Sequence, residues 1–425
     1  MWDFETDPEF QARLDWADQF ITDELEPLDM VLRHPLDRTD PLREATIPKL
    51  QEQVREQGLW ACHLGPELGG PGMGQVHLAL LNELLGRSRC APVVFGCQAP
   101  DSGNAEILAR FGSPEQKERY LQPLLAGEIF SCFSMTEPHG GADPKVFTTS
   151  AVRKDGTWVI NGEKWFSSHA RWASFLIVVV VTDPDAAPYS RQSMLVVPVE
   201  TPGVEILRNV GIAGQDHGDG SHAYIRFSNV EVPESAMLGS RGQAFAIAQT
   251  RLGGGRIHHC MRSVGLVRRA FDMMLERAVS RTTQGELLAS KQLVQEMIAE
   301  SWLQIESFRL LVLRTAWKID QYDDYRRVRG DISAVKAMMP RVITDVASRA
   351  LQVHGSLGVS EEMPFISMIA EGHHMGLADG PTEVHKLTLA KELVKSAQPA
   401  PDVFPSGHLP RRRHAAELKF ASLLG

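Results

Sequence analysis

The chain has 425 residues, of which 43% are hydrophobic and 23% charged, a globular composition long enough for two or three domains and unlike that of a disordered or fibrous protein. A net charge of -9 and a pI near 5.9 leave no footprint for nucleic acid; the one basic cluster, Arg411-Arg412-Arg413-His414, is short and reads as part of a solvated tail. The longest apolar run, Phe175 to Val181, falls well short of the roughly 20 residues a membrane helix needs, so no membrane span is expected.

The acidic start, Met1 to Asp7, carries neither a secretory signal nor a basic transit pattern. Cys62, Cys90, Cys97, Cys132 and Cys260 are odd in number and contain no C-x-x-C pair. Both features predict a cytoplasmic, soluble protein with buried thiols. From Asp7 to about Leu125 apolar residues recur at helical spacing, as in Phe10, Leu14, Ala17, Phe20 and Ile21, interrupted by the breaker-rich loop Leu64 to Gly72. Around Gly127 the texture changes to short β-branched and aromatic runs: Thr157–Ile160, Phe175–Val181, Met194–Val199 and Ala223–Phe227. Asn161-Gly162 between two such runs predicts a hairpin turn, because both residues tolerate positive φ.

After Gly239 the helical period returns over Arg256–Arg281, Leu287–Gln321, Asp331–Leu351 and Thr382–Ala397, with a kink expected at Pro340. The expected class is α+β: a helical domain over 1–126, a β-barrel or sandwich over 127–238, a four-helix bundle over 239–397 and a tail over 398–425.

Two segments carry candidate chemistry. In Phe133 to Asp143 a hydroxyl, a Pro-stiffened turn and glycine-freed amides at a domain junction could cradle a heterocycle or phosphate, or form a plain loop. In Ile160 to Ser168, Phe166 and Ser168 are two apart, so on a strand they share a face, one to stack on a ring and one to bond its edge. His258-His259-Cys260 and His373-His374 show no i, i+4 ligand pair with a third partner, so no metal site is expected.

Together these segments resemble two signatures of the acyl-CoA dehydrogenase family: Thr136 through Asp143, and Asn161, Gly162, Lys164, Phe166 and Ser168. Arg281 to Gly285 with Gln292, and Gln352 to Gly358, are similar to the family's two C-terminal flavin-binding stretches. Arg251 to Arg262 further resembles the branch that in vertebrates is fused behind a kinase-like domain, a domain that these 425 residues do not contain.

The resemblance implies FAD as cofactor. Phe133, Met135 and Thr136 are expected at the flavin pyrimidine, Phe166 against the isoalloxazine and Ser168 near N5. It further implies that Arg281, Gln292, Gln352 and Gly355 serve the cofactor of a neighbouring subunit, so that a homodimer or homotetramer forms, and it puts Thr382 and Glu383 near the cofactor. Substrate contacts are implied at Ala142, Arg256 and Gly380, and Asp379 takes the place of the family's catalytic Glu. The family's alternative base position is Gly255, which has no side chain. Asp379 could also cap the helix that starts near Pro381 or Thr382.

The implied reaction removes the α-proton of a fatty-acyl-type CoA thioester with Asp379 while a hydride passes from Cβ to flavin N5, giving a trans-2-enoyl-CoA, with an electron-transferring flavoprotein as acceptor. Rival readings are a same-fold enzyme that uses oxygen, an acyl-CoA oxidase or flavin monooxygenase, and a non-catalytic acyl-CoA-binding subunit. Ala142, Gln284, Pro381 and Glu383 depart from the family's usual residues.

Overall fold

The computed structural model describes residues 5–212 and 220–424; the residues Met1 to Phe4 of the acidic start lie outside them. The first third is helical, with α1 (Pro8–Phe20), α2 (Pro41–Glu56), α3 (Gly74–Leu85) and α4 (Asp101–Phe111) as its main elements. Asp7 caps α1 through Phe10 N and Asp40 caps α2 through Leu42 N, each followed by a proline at the first helical position. Their buried faces, including Ala17, Phe20, Ile47, Leu50, Leu81 and Leu85, join one core with the C-terminal helices.

The middle third forms an eight-stranded mixed sheet from β1 (Ser131–Ser134), β2 (Ser150–Lys154), β3 (Thr157–Ser168), β4 (Phe175–Val181), β5 (Gln192–Pro198), β6 (Val204–Val210), β7 (His222–Pro233) and β8 (Met237–Leu238). Its order is β6-β7-β3-β2-β4-β5-β8, with β1 parallel to β4. The apolar run of β4 is explained by burial on both faces. Leu176, Val178 and Val180 enter the core shared by the sheet strands. The alternate residues Phe175, Ile177 and Val179 pack on Ile107 and Leu108 of α4 and on Ile247 of the long helix that follows the sheet.

The expected hairpin at Asn161-Gly162 does not occur. β3 runs through both residues, and the turn from β2 to β3 is Asp155-Gly156, both at positive φ between the paired Lys154 and Thr157. The β3–β7 register shifts between Ile160 and Gly162, and a Cβ on Gly162 would lie 2.6 Å from Thr149 Cα. Gly162 therefore marks a bulge and a close backbone approach.

The C-terminal third contains α5 (Ala244–Ser280), α6 (Gln292–Tyr322), α7 (Arg329–His354), α8 (Phe365–Met375) and α9 (Thr382–Ser396). Helices α5, α6, α7 and α9 are the four expected; α8, which packs on α7, is additional. Helix α5 starts twelve residues before the expected Arg256, because the low helix propensity of Gly253, Gly254 and Gly255 is overridden by packing. Cβ atoms there would lie 3.1 Å from Tyr325, 3.4 Å from its hydroxyl and 3.2 Å from Asp379 Oδ2. Helix α7 continues through Pro340, whose carbonyl accepts the Thr344 hydroxyl at 3.0 Å. The tail forms a further exposed helix, Leu409–Lys419. All five cysteines are free and buried. No helix among the described residues is long and apolar enough to cross a membrane.

Candidate active site

The two central motifs are bolted together by a buried ion pair. Lys164 Nζ lies 2.9 Å from Glu137 Oε1, both side chains wholly buried, and also donates to Met135 O at 2.8 Å. Glu137 accepts from Thr148 N at 2.7 Å and Thr149 N at 2.9 Å, and Trp165 N donates to Thr136 O at 2.8 Å. Burial pushes Lys164 down to about 8 against the pull of Glu137. Burial opposes ionisation of Glu137, but Lys164 and the threonine amides outweigh it and hold the carboxyl below its usual range.

Beyond this bolt the β3–β7 register shifts between Lys164 and Ser167, and Phe166 adopts φ 53°. That bulge leaves Phe166 37% exposed. Ser168 stands directly opposite His222 on β7, and its Oγ is 2.9 Å from His222 Nδ1. The Phe166 ring stacks on His222, with centroids 4.8 Å apart and planes 16° from parallel. His222 also meets the edge of His374 on α8, whose Nδ1 is 3.3 Å from Glu371 Oε2. Burial, with His374 adding to it, pushes His222 down to about 4, so its ring is neutral at pH 7.

Asp379 occupies the turn between α8 and α9 at φ 55°, a left-handed conformation unusual for a non-glycine residue. Its carbonyl accepts Arg256 Nε at 2.9 Å and His385 Nε2 at 3.3 Å. Gly380 follows at φ 106°, where a Cβ would come within 3.1 Å of His385 Nε2. The capping role does not hold: α9 is capped at Pro381 with no side-chain bond, and Thr382 instead donates through N and Oγ1 to Gly376 O at 2.9 and 3.2 Å. The left-handed backbone turns the carboxylate inward.

There Oδ1 is 4.0 Å from Arg251 Nη1 and Oδ2 is 3.8 Å from His259 Nε2. Burial raises the Asp379 pKa, but His259, Arg251, Arg256 and Lys336 together hold it below the usual carboxylate value. Burial pulls His259 itself down to about 4, Arg262 adding to the effect and Asp379 opposing it. Arg251 is fixed from its other side by Asn104 Oδ1 at 3.0 Å, and its guanidinium covers the Phe133 ring at 4.1 Å. Gly255 separates this carboxylate from a cleft of about 530 Å³ lined among others by His63, Leu78, Glu106, His258 and Tyr325. That volume is in the range of small-molecule sites.

Arg251, Gly255 and His259 recur every fourth residue and so share one face of α5, a spacing visible in the sequence. That spacing groups Arg251 and His259 with Gly255 on one face, but only packing sets them beside Asp379. His222 had no such signal, because only the strand register sets it opposite Ser168.

Phe133, Arg256, Asp379 and Gly380 are joined through Arg251 and the Asp379 carbonyl, and Phe166 and Ser168 through His222. Met135 and Thr136 are half-buried beside the Lys164 bolt, while Ala142 and Glu383 are exposed. Arg281, Gln292, Gln352 and Gly355 are not brought to these residues. They are exposed at the far ends of α5 and α7 and the start of α6. At 1.5 Å per residue, Arg281 lies about 38 Å along α5 from Arg256.

Residues 7–128, 132–230 and 242–394 match the family models described as the N-terminal, middle and C-terminal domains of acyl-CoA dehydrogenase. FadE2 of Mycobacterium tuberculosis, assigned as an acyl-CoA dehydrogenase, is 42% identical over 361 residues, 84% of this chain and 87% of that protein. Acyl-CoA dehydrogenase family member 11 of Rattus norvegicus is 42% identical over 350 residues, which cover 81% of this chain but only 44% of that protein. Among solved structures, butyryl-CoA dehydrogenase from Megasphaera elsdenii is 25% identical with a TM-score of 0.77, covering 92% of this chain and all of that one.

Proposed function

The chain belongs to the acyl-CoA dehydrogenase family, and on that premise we propose that it oxidises a fatty-acyl-type CoA thioester across Cα–Cβ to the trans-2-enoyl-CoA, with FAD as cofactor and Asp379 as base. The observation that carries the reading is the Asp379 carboxylate, turned inward between Arg251 and His259, held below the usual carboxylate pKa and set just behind Gly255, which lines a ligand-sized cleft.

An ionised carboxylate can accept the α-proton only if the enolate charge that develops is stabilised as it forms. The peptide N–H at Asp379 is assigned that task, donating to the thioester carbonyl. Arg256 and His385 grip the Asp379 carbonyl, in the next peptide along, and so hold the residue that carries this N–H. An acyl chain filling the cleft would exclude water from Asp379 and raise its pKa toward that of a working base.

The residues around Phe166 suit a flavin. A part-exposed aromatic ring at a bulge and the Ser168 hydroxyl both meet His222, and Met135 and Thr136 join the same strand through Lys164 and Trp165, with Phe133 just before them. FAD, when bound there, supplies the hydride acceptor for Cβ. The same reading includes a homodimer or homotetramer in the cytoplasm, in which Arg281, Gln292, Gln352 and Gly355 of one subunit, with Thr382 and Glu383 nearer the base, complete the cofactor site, and an electron-transferring flavoprotein as acceptor. Support for the shared site is the exposure of the first four and the span of about 38 Å along α5 between Arg281 and Arg256.

The test is Asp379→Asn, mixed anaerobically with a panel of acyl-CoAs while the flavin absorbance is followed. Loss of a general base predicts a fall of about 10²–10⁴ in reduction rate at unchanged FAD content. A variant that bleaches within a few-fold of the native rate would put the base elsewhere.

A further inference from the structure

Ser168 has only one hydrogen to give, and His222 competes for it. The serine Oγ is 2.9 Å from His222 Nδ1, the histidine is held by the Phe166 ring on one face, and the edge of His374 closes on it from α8. We propose that His222 is a positioning residue that accepts the Ser168 hydroxyl hydrogen at Nδ1 and thereby turns the serine oxygen into an acceptor toward the flavin, favouring the reduced cofactor. The inference rests on the reading that Ser168 faces flavin N5.

The argument is a count of donors and acceptors. His222 is neutral and carries one ring proton. Glu371, which acts on this ring from α8 alongside His374, favours a proton on it; that proton is assigned to Nε2, which leaves Nδ1 bare toward Ser168. An oxidised flavin presents a bare N5, so Ser168 then faces two acceptors with one hydrogen and leaves one of them unpaired. A reduced flavin presents N5–H. The serine oxygen can accept that hydrogen while its own goes to Nδ1, and every group is paired. Unpaired buried polar groups are costly, so His222 tilts the balance to the reduced side. Without it, the serine hydrogen has no acceptor once the oxygen takes N5–H, and the tilt reverses.

The experiment measures the ratio of reduced to oxidised flavin in purified FAD-bound protein, equilibrated anaerobically with a reference dye. His222→Phe keeps a ring against Phe166 and removes Nδ1. It is expected to bind FAD normally and to lower the ratio about tenfold at a given dye potential, about 30 mV for a two-electron couple. His222→Asn, whose amide oxygen can stand near Nδ1 as an acceptor, is expected to return the ratio to within about threefold of native, a shift of less than about 15 mV.

A rise in the ratio for His222→Phe would mean that Nδ1 donates, and overturns the proposal. So would an unchanged ratio for His222→Phe when Ser168→Ala shifts it, an outcome that leaves Ser168 at the flavin. If Ser168→Ala also leaves the ratio unmoved, the placement of Ser168 at N5 fails, and the proposal with it. Loss of FAD or of folding in both His222 variants would make the residue merely structural.

Discussion

At Asp379 the backbone and the side chain do separate work. The left-handed turn fixes the carbonyl under Arg256 and His385, while the carboxylate meets Arg251 and His259 across Gly255. The residue itself is legible in the sequence as the carboxylate ahead of Gly380, but its surroundings are not, since His259 and Arg251 come from a helix more than a hundred positions earlier. Gly255 can be read as a missing base; its approach to the proposed one, Asp379, emerges only from packing. Gly255→Ala should bring a methyl to 3.2 Å from Oδ2, tight enough to displace the carboxylate. A misplacement of this kind predicts a loss of about tenfold to a hundredfold in flavin reduction rate. Equal FAD content and an unchanged reduction rate in the anaerobic assay would show that the carboxylate does not need that space.

Among the elements, β3 shows best what a pattern can and cannot reveal. Its Lys164 and the loop's Glu137 are each readable as parts of a signature, yet nothing in either stretch says that they pair with each other. The pairing depends on the stretch that follows β1 being laid against β3, where Trp165 N donates to Thr136 O. Likewise Asn161-Gly162 has the composition of a turn and is used as a bulge, because Thr149 needs the space that a side chain would fill. Lys164→Met should leave Glu137 buried without its cation and destabilise the protein by about 3–5 kcal/mol. Denaturant unfolding of the FAD-free protein measures this. The double variant with Glu137→Gln should recover part of the loss, since no charge is then buried alone. A single variant as stable as native would show that the threonine amides suffice for Glu137.

For the whole molecule, the order of helices, sheet and helices is legible from the change in hydrophobic period, and the long helices from their 3.6-residue repeat. The register of the sheet, the short helix α8 and the early start of α5 are not, because each is decided by contacts between distant segments. The separation of Arg281 from Asp379 belongs to the same scale. Arg281→Ala should lose FAD and subunit association together, because the side chain is assigned to a neighbouring subunit's cofactor and Arg offers a fixed fork of donors for a pyrophosphate. Light scattering and flavin absorbance check it, and a variant with full FAD and native mass would contradict the assignment. Finally, the run Gly253-Gly254-Gly255 makes the longest helix intrinsically weak where it borders the cleft, by roughly 3 kcal/mol relative to three alanines. Backbone amides there should exchange with deuterium sooner than those of Val264 to Ala270 on the same helix. An acyl ligand in the cleft should slow that exchange, so this stretch would record occupancy without any chemical turnover. Uniform protection along α5, with or without ligand, would show instead that Tyr325 and Asp379 clamp the glycines fully in the free protein.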